Sequence, residues 1–393
     1  MPARVIHVDL DAFFVEVCRQ RHPHLRDIEL LVVGGRRDQR GVVQSASYGA
    51  RRFGIRSGMP IAQAARLCPQ ATFFQGSFSH YRDASRSVRA VLGRFSPAVV
   101  MASLDEAYLD FAGTERLQPI SLLPVAEQIR DAVRQESGLD CSIGIGPNRM
   151  MAKLASDYAK PRGLMEVRAG WEAGFLAGLP LRALPGVGPK TAERWAARGL
   201  TEVAQVQRLS LAELRGLAGC HAKELKLRAH GHGSAVVRAG GLPKSISRET
   251  TLARDSTDRE QLEGLLALFA ARVGAELRAE GLTARTITLK LRQADFQTVT
   301  RSVTLTTPTD LDAELLEPAI RSFRAAFTEA ARRRQGVRLI GVAAGNLRRG
   351  EPPDLFESEP RSRLRALTRA VDQVRAKFGF DAVTPARLLE TRR

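Results

Sequence analysis

No stretch of this sequence reaches the ~20 consecutive apolar residues that a membrane-spanning helix needs. An export signal is missing too: Arg4, Asp9 and Asp11 fall where its apolar core would lie, so a cytoplasmic protein is expected. Cysteine is scarce. Cys18, Cys68, Cys141 and Cys220 lie far apart with no CxxC pairing, which argues against a disulfide framework or a thiolate zinc site and leaves them as small core residues. No segment repeats with a solenoid period. Acidic side chains fall short of basic ones, 42 against 60, giving a net charge of +18 and a pI near 10.8. Such an excess favours a polyanion partner, nucleic acid first, because each phosphate contact releases counterions. Arginine greatly outnumbers lysine, which suits bidentate phosphate contacts.

The 393 residues exceed one ordinary core, so about two to four globular domains are expected. Residues 4–10 and 29–34 read as buried strands on either side of the helical "DAFFVEVCRQ", a βαβ-like opening. A strand, an Arg-bearing helix start, a Gly-punctuated loop and a short helix near 60–67 follow. An amphipathic helix near 79–94 then leads to a hairpin, "VVMASLDEAYLDF". Residues 122–137 read as helix, and "CSIGIG" as a strand feeding the helix "NRMMAKLASDYAK". From about 166 to 232 the chain breaks into short Gly- and Leu-rich helices, and the Gly-rich 231–245 reads as a linker. Residues 246–345 alternate strands with helices near 258–279 and 312–331, a βαββαβ-like α+β domain whose strand faces carry Lys290, Arg292 and Arg301. The tail, 346–393, is Pro-punctuated, then helical and basic.

The chemistry concentrates in three places. In "VIHVDLDAFFVEV" Asp9 and Asp11, two apart on a strand, would share one face at its C-terminal end. Aspartate is costly to bury unpaired, so a cation should sit beside them. The distant "SLDEAYLD" adds Asp105 and Glu106, and oxygen-only donors from two strands suit Mg²⁺, two ions of which could drive an in-line phosphoryl displacement. Solvated strand-end acids are the other reading of the same spacing. Second, Tyr48 and Arg51 in "SYGARRFG" are three apart, on one helical face at a helix start, a cradle for phosphate oxygens that Lys160 of "DYAKPRG" could reach as a point charge. Singly, each of these cations also reads as a solvated surface residue. Third, "LPGVGPKTAERWAARG" has the pattern of a helix-hairpin-helix, whose turn at Gly186 and Gly188, with Lys190 behind it, offers backbone N–H groups to a DNA phosphate. A bland glycine turn is its alternative.

These motifs, "HVDLDAFFVEV", "SASYGARRFGIRSGMP", "ASLDEAYLD", "SIGIGPNRMMAKLASDYAKPRG" and "LPGVGPKTAERW", occur in the order and spacing of one family, over residues 4–345. The chain resembles the Y-family translesion DNA polymerases of the polymerase IV type. The resemblance implies a multi-domain α/β and α+β right hand: palm over 1–20 and 76–165, fingers over 21–75, a helical thumb with the helix-hairpin-helix over 166–232, a linker over 233–245, and a little finger over 246–345. It implies template-directed synthesis past damaged bases, by transfer from a dNTP to a primer 3′-hydroxyl. With no second carboxylate cluster to proofread, low fidelity is expected.

By the resemblance Asp9, Asp105 and Glu106 match the Mg²⁺ ligands, with the backbone carbonyl of Leu10 as a fourth, while Asp11 matches an acid outside that set. Phe14 matches the ring set against the sugar to exclude a 2′-hydroxyl; Phe13 beside it fits a core position better. Tyr48, Arg51 and Lys160 match the triphosphate contacts, and Gln44 stands where many relatives carry a small residue over the templating base. Partners implied are primer–template DNA and dNTP, for a monomer in the cytoplasm of a bacterium, associated with its nucleoid. Leu355 and Phe356 in "PPDLFESEP" resemble the apolar half of a sliding-clamp peptide without its usual leading glutamine, so a plain linker reading stands beside that one. The rival function is a non-catalytic DNA-binding scaffold that recruits other polymerases; the three intact carboxylates speak against it.

Overall fold

A computed structural model describes residues 4–117, 121–238, 240–332, 335–349, 358–384 and 386. It divides into two units, residues 1–239 and 240–393. Among the described residues no helix is long and apolar enough to cross a membrane.

The first unit is organised by a five-stranded sheet in the order Val99–Met101, Glu106–Asp110, Val5–Leu10, Cys141–Gly146, Leu164–Glu166, antiparallel except for its last pair. The strand Val5–Leu10 is central and buried along its whole length, and its period of two divides its side chains between two layers. Ile6, Val8 and Leu10 join the core built with helices Phe13–Arg21, Phe78–Leu92 and Leu123–Ser137. Val5, His7 and Asp9 face the other way, toward the helix Arg149–Ala159: Val5 packs on Ala152, His7 bonds Ser156, and Asp9 pairs with Lys160.

That helix starts where the Asn148 side chain accepts from the Met151 N–H and stops at Ala159, with Lys160 already extended before Pro161. It lies so close to Cys141–Gly146 that a Cβ on Gly144 would sit 2.0 Å from the Ala152 carbonyl oxygen and 2.2 Å from the Ser156 nitrogen. Gly144→Ala is therefore expected to push the helix off the sheet and destabilise the unit by at least about 1–3 kcal/mol, the range for overpacking. Thermal melts of the two proteins check this; equal midpoints would show that the helix can retreat at no cost.

The βαβ-like opening expected from the sequence is not formed. Leu31–Val33 leaves the sheet of Val5–Leu10 and joins a separate three-stranded one with Ser45–Ala46 and, in parallel, Thr72–Phe74. A small core of its own, including Val32, Ile55, Ile61 and Cys68, supports that sheet. Alternation identified both strands but carries no information on which partner a three-residue strand takes. Short helices between 172 and 229 enclose a third core around the fully buried Trp195 with Val203, Val206 and Leu214. Cys18, Cys68 and Cys141 are buried free thiols; Cys220 is free but exposed, unlike the core position expected for it.

The linker reading needs shortening. Residues 231–237 are fastened to the first unit: Asn148 Nδ2 donates to the Gly231 carbonyl at 2.8 Å, Arg149 N donates to the Ser234 carbonyl at 3.0 Å, and Val237 is buried against Val5, Tyr108 and Ala152. Glycine content alone could not register these anchors.

The second unit follows the βαββαβ element order, with an antiparallel sheet ordered Thr298–Thr309, Leu282–Gln293, Val337–Arg349, Ser245–Ser256. Helices Arg259–Ala279 and Asp312–Arg332 cover one face over a core of leucines, valines and Phe323. Lys290 pairs across strands with Thr300, and Arg292 with Thr298, on the uncovered face. Arg301 is opposite Leu289, which belongs to the core, so it lies on the other face from Lys290 and Arg292 and does not join one basic surface with them. The tail helix Glu359–Phe378 docks on this unit through ion pairs: Arg278 with Asp372 at 2.6 Å, Arg361 with Glu314 at 3.0 Å, and Arg375 with Asp312 at 3.6 Å. Leu355 and Phe356 lie outside the described residues.

Candidate active site

One cleft of about 380 Å³ gathers most of the residues singled out from the sequence: Asp9, Leu10, Phe13, Phe14, Gln44, Tyr48, Arg51, Asp105, Glu106 and Lys160. Three local features build it. Asp9, penultimate on its strand, is the direct cross-strand partner of Glu106, the first residue of Glu106–Asp110. Asp105 ends the hairpin before it and is fixed there by its carbonyl, which accepts from Leu10 N at 2.9 Å, while Ser103 Oγ donates to its carboxylate. Past Leu10 the chain turns through Ala12 in the left-handed region (φ 46°), a conformation costing a non-glycine residue roughly 1 kcal/mol, and enters the helix that carries Phe13 and Phe14.

Like charges directly opposite each other on antiparallel strands repel. Here each carries a counter-ion: Lys160 Nζ is 2.6 Å from Asp9 Oδ2 and Lys153 Nζ is 2.5 Å from Glu106 Oε1. Burial still raises the Asp9 pKa to about 6, against the pull of Lys160. Glu106 moves the opposite way, to about 2, under the His7 imidazole and the Lys153 ammonium, which outweigh its burial. Two carboxylates so close with such different affinities for protons mark a site built around positive charge. Among the described residues no three Asp, Glu, His or Cys side chains already converge as a ligand set. The donors nevertheless fit a hard divalent cation, since all are oxygens and the lysine ammonium groups occupy the places where positive charge is wanted.

Asp11 does not share the Asp9 face. It has left the strand, is 4% exposed, and is fully engaged: it accepts from Tyr48 Oη at 2.9 Å, from Ser142 Oγ at 3.0 and 3.1 Å and from the Arg162 N–H at 2.8 Å. It clamps three segments together and, among the described residues, makes no ion pair. The Tyr48 hydroxyl is thus committed to Asp11, and burial together with that carboxylate raises its pKa. Arg51 is shaped by the same short helix: its Nε donates to the Ala46 carbonyl at 2.9 Å and its guanidinium sits 4.9 Å from the Tyr48 ring centroid. Lys160 is shared between Asp9 and, at 3.1 Å, Asp157.

The two phenylalanines divide. Phe13 is 1% exposed and belongs to the core, while Phe14 is half-buried at the cleft, edge-on to the Phe13 and Tyr81 rings at 5.2 and 4.7 Å. Gln44 is exposed at the rim. Several lining or supporting residues escaped the sequence reading, among them Arg56, Lys153, His7 and Ser142. Two had a signal available: Lys153 is seven residues before Lys160 in one helical pattern, and His7 is two before Asp9 on a strand.

Away from this cleft, Gly186 adopts φ 98° in the turn before the helix Pro189–Ala196, and Lys190 is exposed on its first turn. The turn is braced by Arg228, whose Nη1 donates to the Pro185 carbonyl at 2.9 Å.

Comparison with known proteins agrees on one family. Residues 8–157 match the impB/mucB/samB family, 243–355 its C-terminal domain, and 144–198 and 178–224 a SAM-like helix-hairpin-helix tandem. The chain is 39% identical over 385 residues to the DNA polymerase IV of Dehalococcoides mccartyi strain CBDB1, covering 98% of this chain and 97% of that protein. It is 36% identical to the DNA polymerase IV of Caulobacter vibrioides, covering 99% and 94%. Among solved structures it resembles a Y-family DNA polymerase chimera, Dbh-Dpo4(243-245)-Dbh, with TM-score 0.76 at 25% identity over 87% of this chain and 98% of that one. An insertion ternary complex of Dbh DNA polymerase aligns at TM-score 0.60 with the same identity and coverage.

Proposed function

From the premise that the chain belongs to the Y-family DNA polymerases of the polymerase IV type, we propose that the cleft at Asp9, Asp105 and Glu106 is where a dNTP is joined to a primer 3′-hydroxyl opposite a template base. The enzyme is a translesion polymerase that catalyses template-directed DNA synthesis. The observation that carries the site assignment is the cross-strand pair Asp9–Glu106 with a lysine on each carboxylate, at the mouth of a cleft whose other wall is cationic.

In the reaction the 3′-hydroxyl gives up its proton to solvent as its oxygen forms a bond to the α-phosphorus, the α–β phosphoanhydride bond breaks, and pyrophosphate leaves. Asp9, Asp105, Glu106 and the Leu10 carbonyl would hold two Mg²⁺, which would supply activation of the attacking oxygen and stabilisation of charge on the leaving one. The chain's own residues do the rest. Arg51, from the fingers (21–75), and Lys160, at the end of a palm helix, take the β- and γ-phosphates, Lys160 moving from Asp9 as it does so. The Tyr48 hydroxyl, oriented by Asp11, donates to the same anion when it turns from that carboxylate. Phe14 abuts C2′ of the sugar. The turn at Gly186 and Gly188 with Lys190 in the thumb (166–232), and Lys290 and Arg292 on the little finger (246–345), contact the DNA backbone without reading bases, with Arg301 as a separate contact at the sheet edge.

Primer extension on a template bearing a bulky adduct tests the lesion-bypass reading, with Mg²⁺ and all four dNTPs. Products extending past the adduct are expected; a full stop at the same position as on a replicative polymerase would contradict it.

A further inference from the structure

His7 is 0% exposed in the layer beneath Glu106, and the active-site chemistry above gives it no task. The Ser156 hydroxyl donates to the Lys153 carbonyl at 2.8 Å, so its single proton is spent and it accepts from His7 Nδ1 at 2.7 Å. That bond pins the ring in one orientation, with its Nε2 edge toward Glu106. Nε2 lies 3.8 Å from Glu106 Oε2 and, among the described residues, has no hydrogen-bond partner. An apolar ring would fill the same volume against Tyr108, whose ring centroid is 4.5 Å away, without burying an unpaired nitrogen. The nitrogen is unfavourable for packing, which directs attention to its neighbour.

We infer that His7 and Ser156 form a positioning pair that fixes the Glu106 carboxylate for cation binding. The imidazole edge, 3.8 Å from Oε2, and the Lys153 ammonium, 2.5 Å from Oε1, hold the Glu106 carboxylate from two sides. Between these two constraints its free lone pairs are directed to the cleft. Partners of this kind, behind the ligands, commonly change metal affinity 10–100-fold when removed.

The inference rests on Glu106 being a cation ligand, and the experiment separates the two ideas. Mn²⁺ binding is measured by electron paramagnetic resonance on the full chain with primer–template and a non-hydrolysable dNTP analogue. His7→Phe keeps the ring volume and removes both nitrogens; Ser156→Ala frees the ring's orientation and removes only a hydroxyl, so it decides the matter should the first variant fail to fold. Both are expected to bind Mn²⁺ about tenfold more weakly, with melting temperature and primer–template affinity as in wild type, and Glu106→Gln more weakly still. Wild-type Mn²⁺ affinity in His7→Phe and Ser156→Ala alongside an impaired Glu106→Gln would overturn the positioning role. Wild-type affinity in Glu106→Gln would overturn the ligand assignment beneath it.

Discussion

Phe14→Ala is expected to lower discrimination against ribonucleotides by at least on the order of a hundredfold while leaving dNTP incorporation within a few-fold of wild type. The ring cannot easily yield: it is wedged edge-on against Phe13 and Tyr81, both about 1% exposed, so a 2′-hydroxyl pressed onto it meets a supported wall. Removing the ring opens space on the sugar side and takes nothing from the phosphates. Single-nucleotide incorporation with matched rNTP and dNTP pairs measures the ratio. Unchanged rejection of rNTPs would take Phe14 out of this role.

Asp9→Asn, nearly isosteric, is expected to reduce the rate of incorporation on the order of 10³-fold, through loss of cation-borne charge stabilisation, with primer–template affinity retained. The change removes the negative charge that both Lys160 and a divalent cation require, while the amide still fits between Glu106 and Ser142. Pre-steady-state incorporation beside a DNA-binding titration checks it. A rate within tenfold of wild type would mean that Asp9 is a structural acid serving Lys160.

The sequence made the carboxylates legible because their spacing carries topology: a period-two strand ending in Asp9 and a hairpin whose descending strand begins at Glu106 meet in one register. It also made the helices of the second unit legible, since Arg259–Ala279 and Asp312–Arg332 are long and strongly patterned. Where the reading failed, the deciding contact was non-local. Asp11 shares spacing with Asp9 but leaves the strand one residue too soon, captured by Tyr48, Ser142 and Arg162. Arg301 looked like a third member of a basic face, yet its strand's register puts it opposite Leu289. The segment 231–237 looked free because glycine signals flexibility, whereas Asn148 and the Arg149 N–H, far away in the chain, hold it. Lysines 153 and 160 are ordinary surface cations in one dimension and become counter-ions to Glu106 and Asp9 only when the helix is laid across the sheet.

The central claim is that this carboxylate cleft performs DNA synthesis. It is tested most directly by primer extension on an undamaged template with Mg²⁺ and four dNTPs, wild type beside Asp105→Ala at matched DNA occupancy. Asp105 suits the comparison because, among the described residues, its side chain bonds only to Ser103 in the hairpin turn, so its removal should spare the sheet. Extension by wild type and none by the variant is the predicted result. Equal extension by both proteins, or DNA binding with no extension by either, would contradict it.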